Sequence, residues 1–232
     1  MSSVHTVPKH VAIIMDGNRR WARKHGKPAL EGHRIGYQTL KRIGDAALDR
    51  GVKYLSVWAF STENWKRAKR EVQYLMRLLE WVLREEVADF HRKNVRLVVT
   101  GRIHELSTRL QNLVADAMNL TRQNTGGVLN VLLNYGGRTE LVDAIRAIVR
   151  SKPDPDRIDT SLISKHLYQP DIPDPELIIR TSGEMRLSGF MAWQAEYSEF
   201  VFSPKLWPDF TPKDFDEALA EYSRRERRFG GK

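Results

Sequence analysis

The residues with the most chemical potential in this chain are Asp16 and the two arginines that follow it, in the stretch His10-Val-Ala-Ile-Ile-Met-Asp-Gly-Asn-Arg-Arg-Trp-Ala22. The apolar run 11–15 reads as a short buried strand. It ends in a lone carboxylate, Asp16. Gly17 and Asn18 then turn the chain, and Arg19, Arg20 and Trp21 open a helix. Such an arrangement suits a diphosphate. The first N–H groups of a helix are free to face an anion, and the helix dipole favours negative charge. A carboxylate there can hold Mg²⁺, which bridges to phosphate oxygens. The same residues also read as a strand end whose aspartate caps the next helix, and this segment alone leaves both readings open. Neither a Gly-x-x-x-x-Gly-Lys-Ser/Thr loop nor a three-glycine dinucleotide fingerprint is present.

The elements that must position these residues follow from the apolar patterning. Strand-like runs lie at 11–15, 54–60, 96–100, 128–135, 177–181 and 200–202. Helical patterns lie at about 34–50, 70–92, 104–122, 138–150, 160–167 and 212–227. This alternation predicts one α/β domain over 1–232, built on a mostly parallel six-stranded sheet flanked by helices. The proline-rich stretches 151–157 and 170–175 punctuate that domain without dividing it, because the run 177–181 still needs a sheet to join. Residues 1–8 are expected to be flexible. The basic tail 224–232, with Arg224-Arg-Glu-Arg-Arg228, is expected to be a solvated helix end.

Ligands of open α/β sheets bind beyond the carboxyl ends of the strands, and four polar clusters follow apolar runs here. They are Asp16-Gly-Asn18, Ser61-Thr-Glu-Asn-Trp-Lys-Arg67, Asn134-Tyr-Gly-Gly-Arg138 and Arg180-Thr-Ser-Gly-Glu184. In a parallel sheet they converge, and together they describe a site for more than one phosphate. The net charge of +9 points the same way, toward anionic partners. A nucleic-acid binder would explain that charge but not a carboxylate set among arginines. With no cysteine, disulfides and thiolate metal sites are excluded. Residues 1–9 lack a signal-peptide core, and no apolar run approaches the ~18 residues of a membrane span. A soluble, cytoplasmic protein is expected.

These clusters resemble, in order, the signatures of the cis-prenyltransferase family, the undecaprenyl diphosphate synthases. Gly32-His33-Arg-Ile-Gly36, Phe60-Ser-Thr-Glu-Asn-Trp-Lys-Arg67 and Asn134-Tyr-Gly-Gly-Arg138 are similar to family elements. So are Asp174-Pro-Glu-Leu-Ile-Ile-Arg-Thr-Ser-Gly-Glu184, Arg186-Leu-Ser188 and Trp193-Gln-Ala-Glu-Tyr-Ser-Glu-Phe200. The resemblance spans about residues 8 to 229. It implies condensation of isopentenyl diphosphate with an allylic diphosphate, with Mg²⁺ as cofactor, giving a cis double bond and pyrophosphate. The implied product is long, of the undecaprenyl or decaprenyl type; a short-chain synthase shares every motif.

The resemblance also assigns roles. Asp16 and Asn64 are implied as catalytic, and Asp16 and Glu199 as Mg²⁺ ligands, Glu199 reaching across a homodimer interface. Gly17, Asn18, Arg19, Arg20, Trp21 and His33 are implied around the allylic diphosphate. Ser61, Thr62 and Glu63 are implied in a flexible substrate-binding loop, with Trp65 and Arg67 as its implied substrate contacts. Arg180, Arg186, Leu187 and Ser188 are implied for isopentenyl diphosphate. Inactive scaffold partners of this superfamily lack the catalytic aspartate and the last motif, both of which this chain keeps.

Three positions depart from the pattern. Ala29 stands where a basic residue is common, with Lys27 and Arg34 as candidate substitutes; Met185 and Gly189 replace polar residues. Helix 70–92 carries Val72, Leu75, Met76, Leu79, Val82, Leu83, Val87 and Phe90 at helical spacing, widened by Leu78 and Trp81. It reads as an ordinary core helix or, given the resemblance, as one wall of an apolar tunnel with Leu83, Val87, Val98, Leu132 and Leu133. A homodimer would cover Phe190, Met191 and Trp193, which the sequence leaves as an apolar patch. No membrane insertion beyond peripheral contact is expected.

Overall fold

All six apolar runs become strands, and every neighbouring pair is parallel. The strands are β1 (His10–Ile14), β2 (Tyr54–Ser61), β3 (Val95–Thr100), β4 (Gly127–Tyr135), β5 (Leu177–Arg180) and β6 (Glu199–Phe202), in the order β3-β4-β2-β1-β5-β6. The computed structural model describes residues 6–225, so most of both terminal expectations, on 1–8 and 224–232, lies outside the described residues. Among the described residues there are eight α-helices, seven between strands and one after the last: α1 (Asn18–Lys24), α2 (Ala29–Asp49), α3 (Lys69–Glu85), α4 (Val87–Arg92), α5 (Thr108–Thr121), α6 (Gly137–Ser151), α7 (Thr160–Lys165) and α8 (Pro212–Arg224). None of the described helices is long and apolar enough to cross a membrane.

Period-two alternation sends the strand side chains to two different cores. Val11, Ile13, Val57, Leu97, Val99, Leu129 and Leu133 join the larger one with residues of α2, α5 and α8. Ala12, Ile14, Leu132 and Ile178 join a smaller one with Phe190 and Met191. Beside the second core runs a polar ladder across four strands. His10 Nε2 meets Ser56 Oγ at 2.8 Å, Asn130 Nδ2 donates to Ser56 Oγ at 3.0 Å, and Thr100 Oγ1 donates to Asn130 Oδ1 at 2.5 Å. His10 Nδ1 lies 2.6 Å from the Pro173 carbonyl and must donate to it, which leaves Nε2 to accept from Ser56.

The structure corrects three expectations. The helix expected over 70–92 is two helices that meet at Glu86, which caps both with its backbone still in the right-handed helical region; Lys41 Nζ holds the Glu86 carboxylate at 2.5 Å and ties the junction to α2. The segment expected to start at 104 opens instead with a short 3-10 turn, Ile103–Glu105. Helix α5 then begins behind Ser107, whose hydroxyl accepts from the Leu110 N–H at 3.3 Å. Phe190 and Met191 are already buried within one chain, Phe190 stacking on Trp58 with ring centroids 5.2 Å apart, so they form no exposed patch.

Candidate active site

The carboxyl ends of β1, β2, β4 and β5 bring the four polar clusters to one edge of the parallel sheet, and the loop after β1 is held from behind. The Asp16 carbonyl accepts from Trp207 N–H at 3.0 Å and from Thr181 Oγ1 at 2.7 Å. Gly17 adopts φ +111°, and a Cβ there would meet Leu206 at 3.0 Å, so the turn needs glycine. Gly17, not Asp16, is the N-cap of α1, and it offers no side-chain cap. The capping reading of Asp16 therefore fails. Its carboxylate turns instead to cations: Arg180 Nη2 donates to Oδ2 at 3.0 Å, and Arg20 Nη2 stands 3.7 Å from Oδ1.

Arg180 is buried, 5% exposed, at the end of β5. Its Nη1 donates to Ser188 Oγ at 2.8 Å and to the Arg186 carbonyl, while Nε is buried without a hydrogen bond. Arg186 itself is exposed and donates to Glu184 at 2.6 Å. Arg20 also reaches Glu184, at 3.3 Å, and donates to Ser182 Oγ. Leu187 packs into the smaller core.

In front of Asp16 opens a polar pocket of about 560 Å³. Gly17, Asn18, Arg19, Arg20, His33 and Arg67 line it, as the sequence predicts, and Ala29 lines it too. Of the two candidate substitutes for a basic residue at Ala29, Lys27 lines the pocket. Arg34 is instead held by Glu31 through two hydrogen bonds of 3.1 and 2.7 Å. Burial and the neighbouring Arg67 push the His33 pKa down, so its imidazole is neutral at pH 7.

Other sequence-predicted residues are placed differently. Trp21 is buried, stacks on His25 and donates Nε1–H to Asp209 at 2.6 Å; it anchors α1 and does not line the pocket. Ser61 ends β2 and caps the 3-10 turn Thr62–Lys66, which carries Thr62, Glu63 and Asn64; the Ser61 N–H donates to Asn64 Oδ1 at 3.1 Å. Trp65 belongs to the same turn; it is 43% exposed and donates its Nε1–H to Asn134 Oδ1 at 2.7 Å. Glu199 begins β6, at the opposite end of the sheet from Asp16, and accepts from Arg225 at 2.7 Å. One chain therefore does not bring Glu199 to Asp16. Among the described residues no three His, Asp or Glu side chains gather as a metal cluster.

The sequence alone does not single out Arg23, which lines the pocket, or Glu71, which pairs with residues that line it. Arg23 lines the pocket one turn after Arg19, a spacing that could have identified it. Glu71 sits four residues after Arg67, the other signal of that kind, and accepts from it at 2.9 Å.

Below the polar pocket lies an apolar cavity of about 130 Å³ that shares Met15, Asn18 and His33 with it. Leu75, Leu78, Leu79 and Leu83 of α3 wall it on one side, and Leu97, Val99, Val131 and Leu133 on the other. A second cavity of about 50 Å³ lies beyond Tyr37, Leu40, Phe90 and Leu129, which line both. Leu83 and Leu133 are where the sequence predicts. Val98 and Leu132 are not: they alternate with Val99 and Leu133, so they point away from the cavity. Val87 is core but does not line it.

Comparison with known proteins agrees with this geometry. The prenyltransferase family model described as undecaprenyl diphosphate synthase matches residues 14–230. The chain is 50% identical to an isoprenyl transferase of Brucella abortus over 228 residues, covering 97% of this chain and 90% of that one. It is 45% identical to an isoprenyl transferase of Thermotoga maritima, covering 97% of each. Among solved structures it is similar to lavandulyl diphosphate synthase from Lavandula x intermedia in complex with dimethylallyl diphosphate. The TM-score is 0.93 at 38% identity, over 97% of this chain and 98% of that one. It is also similar to a probable undecaprenyl diphosphate synthase from Campylobacter jejuni, with a TM-score of 0.82 at 30% identity, over 97% and 99%. A family match over nearly the whole chain, on a parallel sheet that gathers Asp16 and its arginines above an apolar cavity, places this chain in the undecaprenyl diphosphate synthase-like prenyltransferase family.

Proposed function

We propose that this enzyme joins isopentenyl diphosphate to an allylic diphosphate with Mg²⁺ as cofactor, releasing pyrophosphate. The observation that carries the reading is Asp16, one-third exposed and paired with Arg180, facing a cationic pocket that opens onto an apolar cavity. One carboxylate with substrate phosphates is a donor set that suits Mg²⁺. Asp16 would hold the ion, and the chemistry the ion would supply is neutralisation of charge on the leaving diphosphate.

The chain's own residues do the remaining work. Arg19, Arg20, Lys27 and His33 hold the allylic diphosphate, and bidentate guanidinium contacts suit its oxygens. Arg180, Arg186 and Ser188 hold the isopentenyl diphosphate, so that both reactants meet above the cavity mouth. An amide is a weak base, and Asn64 Oδ1 already accepts from Ser61. Asn64 therefore fixes the loop, and a diphosphate oxygen takes the proton that the isopentenyl unit loses.

The cavity favours a short product. At about 130 Å³ it is close to the ~150 Å³ apolar cavity that holds benzene, a six-carbon molecule. One five-carbon unit fits, and the likeness to a dimethylallyl diphosphate complex supports a primer of that size. A long product, the other outcome the motifs allow, requires the partition of Tyr37, Leu40, Phe90 and Leu129 to part. Radiolabelled isopentenyl diphosphate, Mg²⁺ and primers of five to fifteen carbons, followed by product sizing, test this directly. Short cis products with the five-carbon primer are expected, and Phe90→Ala should lengthen them. Long chains from the unmodified enzyme would overturn the short-product reading.

A homodimer also belongs to this proposal. Its apolar surface is the α6 stripe of Val142, Ile145 and Val149, all exposed, in place of Phe190 and Met191. Light scattering should give about twice the 26.9 kDa chain mass. A monomer with full activity would remove Glu199 from the metal site.

A further inference from the structure

Helix α3 is anchored by a charge. Of its 17 residues only Glu71 and Leu75 are buried, and Glu71 is a carboxylate in the first turn. Arg67 Nη1 donates to its Oε1 at 2.9 Å, His33 Nε2 stands 3.4 Å from the same oxygen, and Arg19 Nε stands 3.7 Å from Oε2. All three partners line the polar pocket. The His33 side chain is only 10% exposed, yet its Nε2 has no hydrogen bond; the contact with Glu71 lacks the alignment for one. Glu71 thus neutralises this part of the pocket without satisfying it. A diphosphate carries more charge and more acceptor oxygens than one carboxylate.

Resting on the diphosphate reading above, we propose that Glu71 is a resident anion that stands in for the allylic diphosphate in the ligand-free enzyme and is displaced when that diphosphate binds. Displacement releases the first turn of α3. The turns that follow carry Leu75, Leu78, Leu79 and Val82, which wall the apolar cavity. Filling the pocket therefore loosens the wall against which the hydrocarbon tail must fit. Linkage requires the two events to be coupled, since the ligand favours the state in which Glu71 has withdrawn.

Calorimetric titration of the full chain with inorganic pyrophosphate tests the proposal, comparing unmodified enzyme with Glu71→Gln. Removing the competing anion should tighten pyrophosphate about tenfold and lower the KM for the allylic primer, leaving the KM for isopentenyl diphosphate unchanged. A residue that only aligns Arg67 and His33 would give weaker binding. Equal or weaker binding by Glu71→Gln overturns the inference while the diphosphate reading stands. No pyrophosphate binding by the unmodified enzyme overturns both. Hydrogen exchange on the unmodified enzyme needs no variant: pyrophosphate should speed exchange in the first turn of α3. Unchanged or slower exchange there also overturns the inference.

Discussion

Two regions of this molecule bury polar side chains in opposite ways. In the ladder of His10, Ser56, Asn130 and Thr100 each side chain is hydrogen-bonded within the chain. At the pocket the pairing is incomplete. Five buried side-chain atoms among the described residues lack a hydrogen bond, and three of them, Asn18 Oδ1, His33 Nε2 and Arg180 Nε, belong to residues of the proposed substrate sites. A fourth, Gln194 Oε1, belongs to a residue lining a polar cavity of about 20 Å³, room enough for one water. Buried polarity is normally satisfied. The ladder therefore reads as structure, and the pocket as a site whose remaining partner is a ligand.

The largest expected effect would separate the two regions outright. Asp16→Ala should lower turnover by roughly 10²–10³-fold or more, the scale of losing a preorganised electrostatic contact. The melting temperature should barely move, because Arg180 keeps Ser188 and the Arg186 carbonyl. Turnover within tenfold of the unmodified enzyme would show that Asp16 does not organise the reaction.

The ladder should respond in the opposite sense, through stability and not chemistry. Burial lowers the His10 pKa from 6.5 to about 4. Between those values the unfolded chain binds the proton and the folded one does not. Stability is therefore full above pH 6.5 and declines as pH falls toward 4, by roughly 3 kcal/mol in all. Urea unfolding across that range should show the slope, and His10→Gln should flatten it with little change in kcat at pH 7.5. An equal slope in the variant would place the titration elsewhere.

Arg186→Ala and Arg180→Ala sharpen the pocket side. Each removes charge-assisted contacts worth roughly 1.5–3 kcal/mol, about 10–100-fold in the KM for isopentenyl diphosphate. Arg180→Ala should also reduce kcat, because Arg180 aims Asp16; Arg186 is exposed and should not. An unchanged KM in both would remove the last motif from that substrate site. The smallest effect belongs to Ala29→Arg. It should tighten the allylic primer only a few-fold, since Lys27 already lines the same pocket, and steady-state kinetics with a five-carbon primer would detect it.

The sheet and much of this pocket were legible in the sequence for a physical reason. Strands buried on both faces need continuous apolar runs, so 11–15 and 177–181 could not be mistaken, and the polar residues after them had to meet at one edge. What stayed hidden depended on side-chain direction and three-dimensional neighbours. Val98 and Leu132 looked like cavity walls because composition does not reveal which face an alternating residue takes. Phe190 looked exposed because Trp58, its stacking partner, lies far away in sequence. Trp21 kept its motif position but spends its indole N–H on Asp209, on the far side of the chain. Glu71 looked like an ordinary charge in a helix until its three partners were placed around it.

The central claim is that the incompletely paired polar groups at the strand ends bind two diphosphates and a metal to do chemistry. Pyrophosphate release tests it most directly, measured with isopentenyl diphosphate and a five-carbon allylic diphosphate. Release should require both substrates, match product mole for mole, stop with EDTA and resume with Mg²⁺. Release without metal, or none with any primer, would contradict the account.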